Sequence, residues 1–176
     1  MPLQAYQGRS PRLAADVYLH PSAQVIGDVT IGAASSLWCH AVARGDVNFI
    51  RIGTQTNIQD NCTLHVSHRR AEDPDGAALT IGDRVTVGHG VILHGCVIGD
   101  ECLIGMGAIV MDKAVLEPRV LLGAGSLVTE GAHLESGFLY LGRPARKVRA
   151  LTQAELAHFA YSAAHYARLA QQYAAS

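Results

Sequence analysis

Imidazole is the commonest protein ligand for a catalytic metal, and three of the chain's nine histidines, His65, His89 and His94, sit at related positions of a repeating pattern. His65 directly follows Leu64 and His94 directly follows Leu93, so each comes just after an apolar residue of that pattern. His89 comes two places after Val87. Polar residues keep the same company: Asn57, Gln59 and Asp60 precede His65, and Arg44 and Asp46 flank Gly45 earlier in the chain. Three imidazoles with an open fourth position describe a catalytic metal site, because structural sites are usually closed by four protein ligands. Arg44 and Asp46 lie two apart, which on a strand puts them on one side. There they can form a solvated ion pair or reach a matching pair across an interface.

The elements that must position these groups repeat every six residues. Aliphatic residues recur at Val25, Ile31, Leu37 and Ala43, at Ile52, Ile58 and Leu64, and at Ile81, Val87 and Leu93. The longest series runs Ile98, Ile104, Val110, Leu116, Leu122 and Val128, with Cys96, Cys102, Ala108, Ala114, Val120 and Ser126 two places before its members. Six is neither the 3.6 of a helix nor simple two-residue alternation. A short strand with two inward residues followed by a tight corner gives that period, and three such units close one turn of a triangular prism. Gly directly after many inward residues, as in Ile31-Gly32 and Ile104-Gly105, is read as relief of backbone strain at the corner. Coils of this kind stack through backbone hydrogen bonds around a continuous aliphatic column.

The phase breaks at two places, between Ala43 and Ile52 and again over the polar stretch 67–78, which reads as a loop extruded from one corner. Allowing for that loop, His65 and His94 stack on the same edge. His89 falls one unit earlier in its coil, on a different edge, so a single rigid prism cannot bring the three imidazoles to one point. Three prisms packed about an axis can, with His65 and His94 of one chain meeting His89 of the next. After the prism, at 1–150, residues 151–176 change period: Leu156, Phe159, Ala163, Tyr166, Ala170 and Tyr173 follow helical steps. Thr152 and Glu155 form a capping-box pattern, so the helix is expected to start near Thr152 and to lie on its own prism or on a neighbouring subunit. His158 and His165 are read as surface residues of that helix.

Composition bounds the partners. The 176 residues carry 14 Lys and Arg against 15 Asp and Glu, for a formal net charge of −1, so nothing global favours nucleic acid or an anionic membrane. Charged residues are 16% and aromatics 6%, while Gly numbers 18, which suits a narrow repetitive core and a surface partly hidden by assembly. No apolar stretch approaches the roughly 18 residues of a membrane span, and the first residues lack a signal-peptide pattern. A cytoplasmic location is therefore expected. Cys39, Cys62, Cys96 and Cys102 contain no CxxC pair and read as free thiols, three of them at inward positions.

The motifs together resemble the gamma-class carbonic anhydrase family: RGD at 44–46, NIQD at 57–60, His65, VGHG with His89, and His94. GFLYLGRPARKVR at 137–149 resembles its bacterial branch of carbonic anhydrase-like or ferripyochelin-binding proteins. The repeat itself is similar to that of hexapeptide-repeat proteins, which implies a single-stranded left-handed parallel β-helix with a C-terminal α-helix. The resemblance implies a homotrimer whose interfaces hold a metal on His65, His89 and His94, zinc as the usual ion, with iron or cobalt compatible. It implies that Arg44 and Asp46 pair across the interface, that Gln59 hydrogen-bonds the metal's water-derived ligand, and that Asn57 and Asp60 support the site. The implied reaction is reversible hydration of carbon dioxide to bicarbonate.

Two positions depart from the well-characterised members. Val47 stands where they carry a glutamate after RGD, and the glutamate that shuttles protons after the first ligand has no counterpart. His68, Glu72, Asp73 or Asp75 are the residues placed to substitute, and a weak relay implies low turnover. Other functions fit parts of the pattern. A metal site of this kind also suits hydrolysis of an acyl-CoA thioester, an activity assigned to some members, and many hexapeptide β-helices are CoA-dependent acyltransferases. A purely structural metal holding the trimer together is the non-catalytic option. Arg143, Arg146, Lys147 and Arg149 are read as a solvated corner or as a contact for an anionic substrate.

Overall fold

The computed structural model describes residues 2–175, and over them the chain winds as a parallel β-helix followed by one helix. One face of the prism stacks Tyr18–Leu19, Ser36–Leu37, Asn57–Ile58, Thr86–Val87, Leu103–Ile104, Leu121–Leu122 and Phe138–Gly142. A second face carries Thr63–His65, Ile92–His94, Ile109–Val110 and Leu127–Val128, and the third carries Leu79–Ile81, Val97–Ile98, Val115–Leu116 and His133–Leu134. Two longer strands, Gln24–Ile31 and Val42–Ile52, bend across the corner between these last two faces. Inward side chains therefore stack in register, as Leu37, Ile58, Val87, Ile104 and Leu122 do, and all five are buried. That column is the aliphatic core the six-residue period demands, with Cys62, Cys96 and Cys102 among its small members.

The spacing of stacked partners shows how the coil length varies. Ile31 pairs with Ile52 and Leu37 with Ile58, 21 apart, because extra residues around Asp46 and Val47 are taken up at the bent corner. Ile58 pairs with Val87 and Leu64 with Leu93, 29 apart, because the loop at 67–78 leaves the coil and returns, closed at its foot by the Ser67 and Ala77 backbones. A third adjustment was not expected from sequence: Val87 pairs with Ile104 and Leu93 with Val110, only 17 apart. The corner at Gly95 is one residue short, and the 18-residue spacing holds from Ile98 and Leu116 onward.

The reason for Gly after the inward residues also differs from the strain argument. Gly32 and Gly105 do not have positive φ; a Cβ at Gly32 would sit 2.7 Å from the Gly53 backbone, and one at Gly105 2.4 Å from the Ala124 nitrogen. Close stacking of consecutive coils is what excludes a side chain there. The left-handed residues lie elsewhere in the corners, and several are not glycine, among them Arg84, Glu101 and Lys113.

The helix, Gln153–Ala174, begins at Thr152 with both hydrogen bonds of the capping box to Glu155. It lies on its own prism, along the face that carries Ser36–Leu37 and Thr86–Val87. Phe159, Ala163 and Ala170 are buried, Trp38 meets Tyr166 with ring centroids 5.7 Å apart, and Ser162 Oγ lies 2.9 Å from Thr86 Oγ1. An antiparallel hairpin of Phe138–Gly142 and Ala145–Ala150 precedes it. Within that hairpin Lys147 pairs with Glu135 and sits over the Phe138 ring, and Arg149 pairs with Glu155, so two of the four basic groups are locally neutralised. Among the described residues, no helix is long and apolar enough to cross a membrane.

Candidate metal centre

The parallel pairing of Thr63–His65 with Ile92–His94 places His94 directly opposite His65. Side chains of register partners in adjacent parallel strands point the same way, so the two rings meet, with His65 Nδ1 3.1 Å from His94 Nε2. Each ring's other nitrogen faces a carboxylate: His65 Nε2 is 3.1 Å from Asp46 Oδ1, and His94 Nδ1 hydrogen-bonds Asp112 Oδ1. Within the chain Arg44 pairs with Asp46. Burial on its own would raise the Asp46 carboxyl, but hydrogen bonds from Arg44 and His65 outweigh it and hold the group below its ordinary range. Asp112 is likewise held low, with burial opposed by hydrogen bonds from Ser67 and His94. His65 is pushed down, chiefly by burial and only partly offset by Asp46.

A second group of the expected residues gathers at another corner. His89 Nδ1 lies 2.8 Å from Asp60 Oδ2. Asp60 is held below its ordinary range: burial would raise it, but a backbone hydrogen bond, Cys39 and His89 together outweigh that effect. Gln59 donates from Nε2 to Asn57 Oδ1 at 3.1 Å, and Asn57 donates to Thr86 Oγ1 at 3.1 Å, so two buried amides are fixed in orientation. A cavity of about 390 Å³ opens beside His89 and Gln59, walled by Leu103, Ile104, Met106 and Tyr161. Exposed His158 and His165 of the helix line its rim, stacked on either side of Tyr161.

Thus the structure brings Arg44, Asp46, His65 and His94 together, and separately Asn57, Gln59, Asp60 and His89. Among the described residues no set of three or more His, Cys, Asp or Glu side chains forms a metal site within one chain. The pair His65 and His94 nonetheless fits two ligands of one ion. Two nitrogens on a tetrahedral ion with Zn–N bonds of about 2.0–2.1 Å lie about 3.3–3.4 Å apart, close to the 3.1 Å observed. Carboxylates behind the outer nitrogens are the usual support for ligating histidines, and all three histidines have one.

Of the relay candidates, His68 shares a polar cavity of about 420 Å³ with Asp46 and Val47. Asp73 is engaged by Lys113 at 2.6 Å, and the Asp75 carbonyl accepts from Asn48 at 2.9 Å. Asp112 and Ser67 are not among the residues that the sequence marks. Asp112 comes 18 residues after His94, one more than the 17-residue spacing of the paired strands there, and Ser67 lies on the extruded loop, so the repeat marks neither.

Known proteins place the chain. The family model described as bacterial transferase hexapeptide (six repeats) matches residues 95–130. The mitochondrial gamma carbonic anhydrase 2 of Arabidopsis thaliana is 45% identical over 166 residues, 94% of this chain and 59% of that protein, so the chain spans under two thirds of that relative. A carbonic anhydrase of Geobacillus kaustophilus is 40% identical over 170 residues, 97% of this chain and 90% of the relative. Among solved structures, a hexapeptide transferase family protein from Anaplasma phagocytophilum superposes with a TM-score of 0.90 at 42% identity, covering 97% of both chains. With relatives this similar over nearly its whole length, and with the repeat and the histidine motifs in agreement, the chain belongs to the gamma carbonic anhydrase family.

Proposed function

We propose that this protein catalyses the reversible hydration of carbon dioxide at a divalent metal, zinc by the all-imidazole ligand set, held between subunits of a homotrimer. His65 and His94 of one subunit and His89 of its neighbour are the ligands. The observation that carries this reading is the facing pair His65 Nδ1 and His94 Nε2, each ring backed by a carboxylate. When bound, the metal would supply the Lewis acidity that lowers the pKa of a water to about 7. The chain's own residues do the rest. Asp46, steadied by Arg44, holds His65, and Asp60 holds His89 in the same way. Asn57 pins the Gln59 amide so that its oxygen end is left to orient a reacting water beside His89. His68, in the cavity it shares with Asp46, is the group placed to carry the released proton outward.

A second reading, hydrolysis of an acyl thioester, is favoured by the apolar cavity of about 390 Å³ beside His89, which is far larger than carbon dioxide requires. The free thiols Cys39, Cys62, Cys96 and Cys102 support a reducing, cytoplasmic setting for either reaction.

Metal analysis of the purified protein, followed by stopped-flow carbon dioxide hydration and a thioester panel on one metal-loaded sample, tests the proposal. Hydration lost in His65→Ala and in His89→Ala is the expected result. Turnover confined to thioesters would replace the first reading with the second, and a protein without bound transition metal would end both.

A further inference from the structure

We infer that Asp112 is the positioning residue of His94, and that Ser67, at the foot of the extruded loop, aims Asp112 in turn. This rests on His94 being a metal ligand and adds two residues to those that the family motifs mark.

Three features of the corner converge on the Asp112 carboxylate. Oδ1 accepts from His94 Nδ1, and Oδ2 accepts from Ser67 Oγ at 2.6 Å, so both oxygens are committed. Gly95, next to His94, leaves the space the carboxylate fills: a Cβ there would come within 2.5 Å of Asp112 Oδ1. Ser67 is itself immobilised. Its backbone pairs with Ala77 at 2.9 and 3.2 Å, closing the loop, and Asn48 Nδ2 donates to its carbonyl at 3.1 Å. The next residue after Asp112, Lys113, binds Asp73 on the same loop at 2.6 Å, so loop and corner are joined at two points.

The chemical effect is on the choice of tautomer. A carboxylate that already accepts from Ser67 offers His94 only an acceptor, so the Nδ1 that faces it carries the hydrogen. Nε2 is then left with its lone pair, aimed toward His65. An outer carboxylate of this kind fixes ring orientation and raises the basicity of the ligating nitrogen, and its loss typically weakens metal affinity roughly 10–100-fold. The extruded loop thereby gains a role in the site, because it carries the Ser67 hydroxyl that steers a ligand of the neighbouring coil.

The test uses the full-length protein labelled with 15N-histidine, in the parent and in Asp112→Ala, Asp112→Asn and Ser67→Ala, with folding followed by circular dichroism. Long-range 1H–15N spectra of the metal-free protein should show His94 as the single Nδ1–H tautomer in the parent and as a mixture in Asp112→Ala. Chelator competition with Co²⁺ should show affinity lowered roughly 10–100-fold in Asp112→Ala, with Ser67→Ala moving the same way by less. Folded Asp112 variants that keep the parent tautomer and the parent Co²⁺ affinity would overturn the inference, even if their melting temperature fell. Should the parent take up no Co²⁺, the metal reading fails, while the tautomer spectra still decide the role of Asp112.

Discussion

His65 Nδ1 and His94 Nε2 face each other at 3.1 Å, and the carboxylates of Asp46 and Asp112 occupy the far side of each ring. Both carboxylates are held low by their hydrogen bonds, so they are acceptors and draw the ring hydrogens to the outer nitrogens. The inner nitrogens are left as two lone pairs pointing at one space. Two lone pairs at that distance repel unless a proton or a metal ion lies between them, which is why the pair suits the metal site proposed above.

If the third ligand comes from a neighbour, complementation between subunits must follow. His65→Ala and His89→Ala homotrimers should each bind no metal. Refolded together they should form mixed trimers in which one interface joins an intact His65–His94 pair to an intact His89, regaining one site of three. Metal content of the mixture measured after size exclusion checks this. A mixture as empty as its parents would place all three ligands in one chain or deny the trimer.

His68 is the relay candidate that shares a cavity with Asp46. Removing a general acid or base typically costs on the order of 10²-fold or more, and a relay acts on proton release rather than on carbon dioxide capture. His68→Ala should therefore lower kcat in dilute buffer while kcat/KM holds, and added imidazole should restore it. An unchanged kcat at low buffer would remove His68 from the mechanism.

Ser126 fills an inward position of the column, next in register below Ala108, and its hydroxyl is buried without a hydrogen-bond partner among the described residues. A buried unsatisfied polar group costs about 1–3 kcal/mol. Ser126→Ala should stabilise the protein by an amount in that range, read as a higher midpoint in urea. A lower midpoint would mean that the hydroxyl has a partner after all.

Much of this was legible because six-residue periodicity is a geometric constraint. It specified which side chains point inward, that His65 and His94 stack, and that His89 belongs to another edge. Local helix chemistry was equally plain at Thr152 and Glu155. What stayed hidden depended on contacts between coils. The exclusion of side chains at Gly32 and Gly105 comes from the neighbouring coil's backbone, and the five-residue step from Leu93 to Ile98 becomes a short corner at Gly95 only once Leu93 is paired with Val110. Asp112 reaches His94 across one coil and Ser67 reaches Asp112 from a loop, and neither bond has a signature in local sequence. The docking of the helix on its own prism likewise depends on Trp38, Tyr166 and Thr86, which lie far apart in the chain.

That docking begins at Glu155, which accepts hydrogen bonds from Arg149 of the hairpin and from the Thr152 backbone and hydroxyl. These interactions, the Arg149 hydrogen bond foremost, lower its pKa from the ordinary 4.5 to about 2. A carboxylate whose pKa is depressed on folding contributes stability that is fully present above its unfolded value and is lost as pH falls through the folded one. The contribution of Glu155 is therefore complete above 4.5 and disappears on acidification toward about 2. Glu155→Gln should melt at a lower temperature than the parent at pH 7, and the gap should close as pH falls through that window. Thermal melts of both proteins between pH 7 and pH 2 measure it; a gap that stays constant with pH would show that the pairing with Arg149 contributes nothing through charge.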